Sequence, residues 1–123
     1  MSFLRFSYAA GWVGVALALF VAAPTGAQTQ AQINWCVNKG DTASPDLVIQ
    51  SCTAAIQSGK YKGKEAAWAF YGRANAYRNK SDYNNAIADY SEAIRLDPQY
   101  AYAYGNRGLA YSDREEIDRA IAD

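Results

Sequence analysis

Few side chains in this 123-residue chain are suited to chemistry, and the chain contains no histidine at all. Histidine is the commonest general base, the usual partner of a serine or cysteine nucleophile, and the commonest zinc ligand. The sequence also lacks a nucleophile elbow and a glycine-rich phosphate loop. Three of its carboxylates stand where turns and helix caps are expected, at Asp82, Asp97 and Asp113. We therefore predict a protein with no catalytic site, no cofactor and no metal.

The charges are balanced, with 12 lysine and arginine residues against 12 aspartate and glutamate residues. Such a chain has no net field of either sign to draw it toward nucleic acid or an anionic membrane surface. Ten tyrosines dominate the aromatic content, which favours packing surfaces that keep a polar edge. We expect no nucleic-acid partner.

The first 27 residues have the pattern of an export signal. Arg5 is the only charged residue among the first 38, and it precedes an apolar run of about 15 residues from Ala9 to Ala23. That run is shorter than the roughly 20 residues that a membrane-spanning helix needs. We expect cleavage after Ala27, a mature chain that begins at Gln28, and a periplasmic or secreted protein. The alternative is an uncleaved N-terminal membrane anchor.

Cys36 and Cys52 are the two cysteines of the chain. They do not form a CxxC pair, and without histidine they cannot complete a four-ligand zinc site. In an oxidising compartment we expect them to form a disulfide, which closes a loop of about 16 residues and stabilises the fold by roughly 3 kcal/mol. Two independent buried thiols remain the alternative.

An internal repeat organises the second half of the chain, since the string AIAD at 86–89 returns at 120–123 with an offset of 34 residues. The same offset relates Arg73 to Arg107, and Ala76-Tyr77 to Ala110-Tyr111. Apolar and small residues recur at helical spacing, which predicts one helix over about 66–80 and a second over about 83–96. The pair Asp97-Pro98 closes the unit, because aspartate suits a cap and proline suits the first position of the next helix. Each unit is therefore predicted to be an antiparallel helical hairpin.

The segment 70–98 resembles a tetratricopeptide repeat, and the order of signal and repeats resembles bacterial exported proteins of that family. Its signature positions are filled by Phe70, Ala74, Tyr77, Ala86, Tyr90, Ala93 and Pro98. Arg73 and Arg107 depart from the usual leucine, consistently in both units. The resemblance implies an all-α, right-handed solenoid of antiparallel helix hairpins.

The resemblance divides the mature chain into three units. Residues 28–65 are expected to form a degenerate N-terminal hairpin or cap, in which Ser44-Pro45-Asp46 starts a helix, Gly59 ends it, and Cys36–Cys52 staples the pair. Residues 66–99 form a complete repeat. Residues 100–123 form a second, truncated repeat that stops midway through its second helix. We expect the chain to be a fragment or a truncated reading frame, since solenoids need about three repeats.

Proteins of this family present the first helix of each hairpin along a concave groove that holds a peptide or partner helix. The resemblance places Trp68, Tyr71, Asn75 and Arg78 on that groove in the first unit, and Tyr102, Gly105, Leu109 and Ser112 in the second. Some of these aromatic residues are equally compatible with packing between helices. The subclass that grips C-terminal carboxylates matches Asn75 and Asn106 but needs a lysine where Tyr71 stands.

The resemblance therefore predicts an exported protein-interaction scaffold with a protein or peptide partner. A membrane-tethered envelope adaptor is the first alternative, in which the membrane is reached only through the N-terminal segment. A fragment of a larger enzyme-associated repeat protein is the second.

Overall fold

The computed structural model describes residue 30, residues 33–37 and residues 43–122, and all regular structure in these ranges is helical. Residues 33–36 form a short helical segment. A 3-10 helix, Gly63–Ala66, and four longer helices follow, namely α1 Pro45–Gln57, α2 Ala67–Asn79, α3 Tyr83–Leu96 and α4 Ala101–Ala122. The predicted all-α fold and the two predicted helices of the first repeat are confirmed. The predicted signal segment, 1–27, lies outside the described residues.

The start of α1 follows from local sequence chemistry. The backbone N–H of Leu47 donates to the Ser44 hydroxyl at 3.3 Å, which satisfies one of the donors left open at a helix start. Pro45 occupies the first helical position, where an N–H is not needed, and Asp46 lies in the first turn. The chain turns away just after α1 at Gly59, whose φ of 65° suits glycine. These are the start and stop that the sequence predicts.

The turn between α2 and α3 closes the first hairpin through a left-handed residue and a cap. Ser81 has a φ of 60°, and the N–H of the next residue, Asp82, donates back to the Tyr77 carbonyl oxygen at 2.9 Å. The Asp82 carboxylate then accepts from the N–H of Asn85 at 3.4 Å and starts α3. Asp82 therefore has the capping role that its position in the repeat predicts.

The second unit lacks this turn, because α4 runs without a break for 22 residues. The positions that correspond to the α2–α3 turn hold Arg114, Glu115 and Glu116. Arginine and glutamate are strong helix formers, and neither residue type favours the N-cap position or a left-handed backbone. The prediction that a second helix begins after these residues is wrong for α4.

Small residues set the distance between helices. Ala74, Ala86 and Ala93 are completely buried where α2 meets α3, so the two helices of the hairpin approach closely. The repeat period is visible in three dimensions, because equivalent alanines of α2 and α4 are buried against the preceding helix (Ala69 and Ala76 in α2, Ala103 and Ala110 in α4). Within the described ranges no helix has both the length and the apolar character required to cross a bilayer.

Arg73 stands where the family usually has leucine, and its side chain connects α2 to both α1 and α3. Its Nε and Nη2 donate to the two carboxylate oxygens of Asp89 in α3 at 2.7 and 2.9 Å, and its Nη1 donates to the Thr53 hydroxyl in α1 at 3.0 Å. This hydrogen bonding raises the pKa of Arg73 above its ordinary value. The guanidinium charge is thus paired and hydrogen-bonded, as a largely buried cation must be.

Candidate functional site

A concave pocket of about 520 Å³ opens beside α2. Its lining comes from four places: the segment around residue 36, the start of α1, one face of α2, and the start of the second repeat. Four of the sequence-predicted groove residues line it together, namely Trp68, Tyr71, Asn75 and Arg78. Asn106 of α4 also lines the pocket, so both asparagines named from the resemblance meet there.

The remaining predicted groove residues lie elsewhere. Tyr102 and Leu109 project from α4 with 74% and 50% of their surface exposed, and neither belongs to the pocket lining. The pocket is therefore centred on the first complete repeat and its junction with the second. These two side chains remain candidates only for a wider groove that continues along α4.

Aromatic side chains form the apolar part of the site. The Trp68 ring meets Tyr61 edge-on with ring centroids 5.2 Å apart. Tyr71 lies between two further rings, at 5.9 Å from Tyr90 and 4.9 Å from Tyr100. The sequence left open whether Trp68 and Tyr71 line the groove or pack between helices. Both side chains do both, because they pack on neighbouring aromatic rings and also present surface to the pocket.

A hydrogen-bond network fixes the two asparagines. The Asn75 Oδ1 accepts from the Tyr90 hydroxyl at 2.6 Å and from the Asn106 Nδ2 at 3.0 Å. The Asn106 Nδ2 also donates to the Tyr71 hydroxyl oxygen at 3.0 Å. Burial raises the pKa of Tyr90 to about 12, so its phenol stays protonated and keeps donating at any physiological pH. The network leaves the Asn75 Nδ2 and the Asn106 Oδ1 without a partner among the described side chains.

The cation of the site is already paired. The Arg78 Nε lies 3.0 Å from the Asp113 Oδ2 of α4, and both side chains are about one third exposed. Asp113, expected at a turn, is instead inside α4 and offsets the charge of Arg78. With Tyr71 at the place of the lysine that a carboxylate-gripping site needs, the pocket offers little to attract a free carboxylate.

Cys36 and its neighbour Val37 form one wall of the pocket. The Sγ atoms of Cys36 and Cys52 lie 2.03 Å apart, with Cα atoms at 4.8 Å, and both residues are buried. Gly72 lies opposite them in α2, where a Cβ atom would come within 2.6 Å of the Cys36 carbonyl oxygen. Only glycine fits this contact without movement, so Cys36, Val37 and Gly72 of α2 make a continuous pocket wall.

Sequence reasoning missed several lining residues. Tyr100 precedes α4 in a loop, and neither its type nor its spacing marks it as part of a site. Gly72 carried a usable signal, because an isolated glycine inside a helical pattern usually has a packing reason. No group of three or more His, Cys, Asp or Glu side chains suited to a metal ion occurs in the described ranges.

Comparison with known proteins gives a consistent result. A family model described as "TPR repeat" matches residues 74–114. Human serine/threonine-protein phosphatase 5 is 49% identical over 51 residues, which is 42% of this chain and 10% of the phosphatase, and this similarity is confined to the repeat region. Stress-induced-phosphoprotein 1 of Caenorhabditis elegans is 35% identical over 84 residues, 64% of this chain and 26% of that protein.

A third relative, small glutamine-rich tetratricopeptide repeat-containing protein 2 of Saccharomyces cerevisiae, is 46% identical over 48 residues, 39% of this chain and 14% of that protein. No solved structure gave a significant match. The chain spans about a quarter or less of the length of these three relatives. The repeat signature, the stacked hairpin and these matches agree that the chain contains tetratricopeptide repeats, matched by the family model over residues 74–114.

Proposed function

We propose that this protein-interaction scaffold is exported and holds an extended segment of a partner protein in the pocket beside α2. The observation that carries the proposal is the combination of an aromatic wall with two asparagines, each of which has one amide atom that makes no hydrogen bond to the described side chains. The Asn75 Nδ2 can donate to a backbone carbonyl oxygen, and the Asn106 Oδ1 can accept from a backbone N–H. An extended peptide presents both groups along its length.

The chemistry of the pocket indicates what the segment should look like. Trp68 and Tyr71 offer area for an apolar side chain, and rigid aromatic groups of this kind often dominate binding energy. Arg78 is neutralised by Asp113, so the partner is not selected by a terminal carboxylate. An internal stretch of chain with an apolar residue fits these features better than a charged C-terminus.

The first experiment is a crosslinking pull-down from the envelope fraction. We expect Trp68→Ala combined with Tyr71→Ala to lose the partners that the unaltered chain captures. A matched variant, Tyr104→Ala combined with Tyr111→Ala, removes two aromatic rings from a face of α4 outside the pocket and should keep them. Circular dichroism checks that both variants fold. If the second variant loses the partners and the first keeps them, binding lies outside the pocket and the assignment is wrong.

Export and the proposed Cys36–Cys52 disulfide are tested separately. Mass spectrometry of the mature protein should find Gln28 as the first residue and a mass two hydrogens below that of the reduced chain. An intact N-terminus would favour the membrane-tethered adaptor. Recovery of two alkylated cysteines without prior reduction would contradict the disulfide.

A further inference from the structure

A loop with three lysines adjoins one end of the pocket beside α2. It spans residues 60–64, between α1 and α2, and the side chains of Lys60, Lys62 and Lys64 are all exposed. Lys64 pairs with Asp97 at 3.8 Å. Among the described residues no carboxylate lies within ion-pairing distance of Lys60 or Lys62. We call residues 60–64 the lysine loop.

Tyr61 connects the lysine loop to the pocket. Its ring meets the ring of Trp68, which lines the pocket, edge-on with 5.2 Å between the ring centroids. On the other side, the Lys60 Nζ lies 5.6 Å from the centre of the Tyr61 ring. A single aromatic ring therefore links this ammonium group to the pocket wall.

Positive charge is distributed unevenly along the pocket. Trp68 lies in the first turn of α2, next to the lysine loop, whereas Arg78 and Lys80 lie at the end of that helix. Arg78 pairs with Asp113 at 3.0 Å, and Lys80 pairs with an aspartate of α1. A partner bound in the pocket therefore meets uncompensated positive charge at the lysine loop and neutralised cations at the opposite end.

A few residues of extended chain cover the distance from the pocket to the lysine loop. The path from Trp68 through Tyr61 to the Lys60 Nζ has two steps, of 5.2 and 5.6 Å. An extended peptide advances about 3.3 Å per residue, so two or three residues span roughly 7–10 Å. A carboxylate two or three residues from the side chain that packs on Trp68 can therefore reach the ammonium group.

We propose that the lysine loop selects partner segments in which acidic residues lie two or three positions away from the apolar residue held in the pocket. This inference rests on the proposed binding of an extended segment beside α2. The apolar side chain packs on Trp68 and Tyr71, and the acidic side chains pair with Lys60 and Lys62. The acidic residues belong to the half of the segment that crosses Trp68.

The number of available cations favours a protein segment over an anionic lipid surface. Recruitment to such a surface typically takes a cluster of about four to eight lysine and arginine residues. The lysine loop offers two lysines without a carboxylate partner among the described residues, and the whole chain has no net charge. Two cations beside an aromatic pocket match a short acidic stretch next to an apolar anchor.

Three short synthetic peptides test the proposal. All are acetylated and amidated, so that their ends carry no charge, and have a central phenylalanine. One has two aspartates after the phenylalanine, separated from it by one glycine. The second has them before it at the same spacing, and the third has asparagines in both places. In chemical-shift titrations at low ionic strength, we expect one acidic peptide to bind about fivefold more tightly than the neutral peptide, the effect of two exposed charge pairs.

Variants of the lysine loop separate a local contact from an effect of net charge. Lys60→Gln combined with Lys62→Gln should remove the preference and leave the affinity for the neutral peptide unchanged. The matched control, Lys80→Gln combined with Arg95→Gln, removes the same net charge from two residues that already pair with carboxylates. This control should keep the preference. Salt at about 0.5 M should weaken the preference in the unaltered chain, because exposed charge pairs are screened.

The outcomes distinguish the lysine loop from the pocket itself. Equal binding of all three peptides would overturn the selection of acidic segments and leave the proposed function standing. A preference that both double variants lose equally would assign the effect to net charge and overturn it as well. Failure of every peptide to bind would count against the proposed function and this inference together. Binding to phosphatidylglycerol vesicles that Lys60→Gln and Lys62→Gln abolish, without any peptide preference, would assign the loop to a lipid surface instead.

Discussion

Gly72→Ala is the substitution that most sharply tests how the pocket wall is built. Alanine is normally the better helix former, so the change should stabilise α2 if only local propensity mattered. A Cβ atom at this position, however, lies 2.6 Å from the Cys36 carbonyl oxygen and 3.2 Å from the Cys52 Sγ. The first contact must lengthen by about 0.8 Å to reach ordinary van der Waals distance. The neighbours cannot easily yield, because Cys36 and Cys52 are both buried in packed surroundings.

The two opposing effects can be compared in magnitude. Gain in helix propensity is worth up to about 1 kcal/mol, whereas forcing an extra methyl group into a packed interior costs about 1–3 kcal/mol. Since the clash is with backbone, we take the upper part of that range and expect a net loss of about 1–2 kcal/mol in the free energy of unfolding. Gly105→Ala is the matched control, because its Cβ would meet nothing within 4 Å. The free energy of unfolding of this control variant should rise by about 0.5–1 kcal/mol.

Urea unfolding followed by far-ultraviolet circular dichroism measures both variants. The two substitutions should change the free energy of unfolding in opposite directions, and equal stabilisation by Gly72→Ala and Gly105→Ala would refute the proposed clash. Reduction adds a second check. Reduction of the proposed Cys36–Cys52 disulfide would free the segment around residue 36 to move away from α2, so the deficit of Gly72→Ala relative to the unaltered chain should shrink.

Three further predictions concern charge, pH and backbone strain. Asp89→Asn leaves the Arg73 side chain, which is 18% exposed, without its carboxylate partner. In urea unfolding this change should lower the free energy of unfolding by about 3 kcal/mol. The control, Glu92→Gln, breaks an exposed ion pair and should lower it by less than about 0.5 kcal/mol. Burial raises the pKa of Tyr90 from 10 to about 12. The stability that the neutral phenol contributes is therefore fully present below pH 10 and should be lost between pH 10 and 12. If the free energy of unfolding of Tyr90→Phe falls as steeply over this pH range as that of the unaltered chain, the prediction is contradicted. Ser81→Gly removes a side chain at a φ of 60°, which should stabilise the fold by about 1 kcal/mol and raise the midpoint of thermal unfolding. An unchanged or lower midpoint would contradict backbone strain at this residue.

The helices of the first repeat could be predicted from sequence because their signals are local. The cap at Asp82 and the small residues at helical spacing depend on neighbours within one or two turns. The period also relates Ala69 and Ala76 of α2 to Ala103 and Ala110 of α4, and all four residues are buried. The same period failed at residues 114–116, where local helix propensity outweighs the repeat pattern and α4 continues.

The site was predicted only in part, because its geometry depends on contacts between residues far apart in sequence. Trp68 and Asn75 belong to one helix and could be placed by family position. The bonds that fix the Asn75 amide come from Tyr90 and Asn106, 15 and 31 residues further along the chain, and no spacing rule reveals these partners. The charge balance of Arg78 likewise depended on Asp113, which the sequence assigned to a turn.

The pocket exists only where two units are stacked, and this couples binding to folding. Asn75 and Asn106 occupy the first helices of successive units, and they meet because alanines bring α2, α3 and α4 into close packing. Arg107 adds a bond from the second unit to Ser91 of the first, as Arg73 does to Thr53 of the preceding helix. A partner that bonds to both asparagines binds the stacked arrangement and not the separated units. Its binding must therefore stabilise the junction by mass action, so a genuine ligand of this pocket should raise the unfolding temperature of the chain in proportion to the logarithm of its concentration.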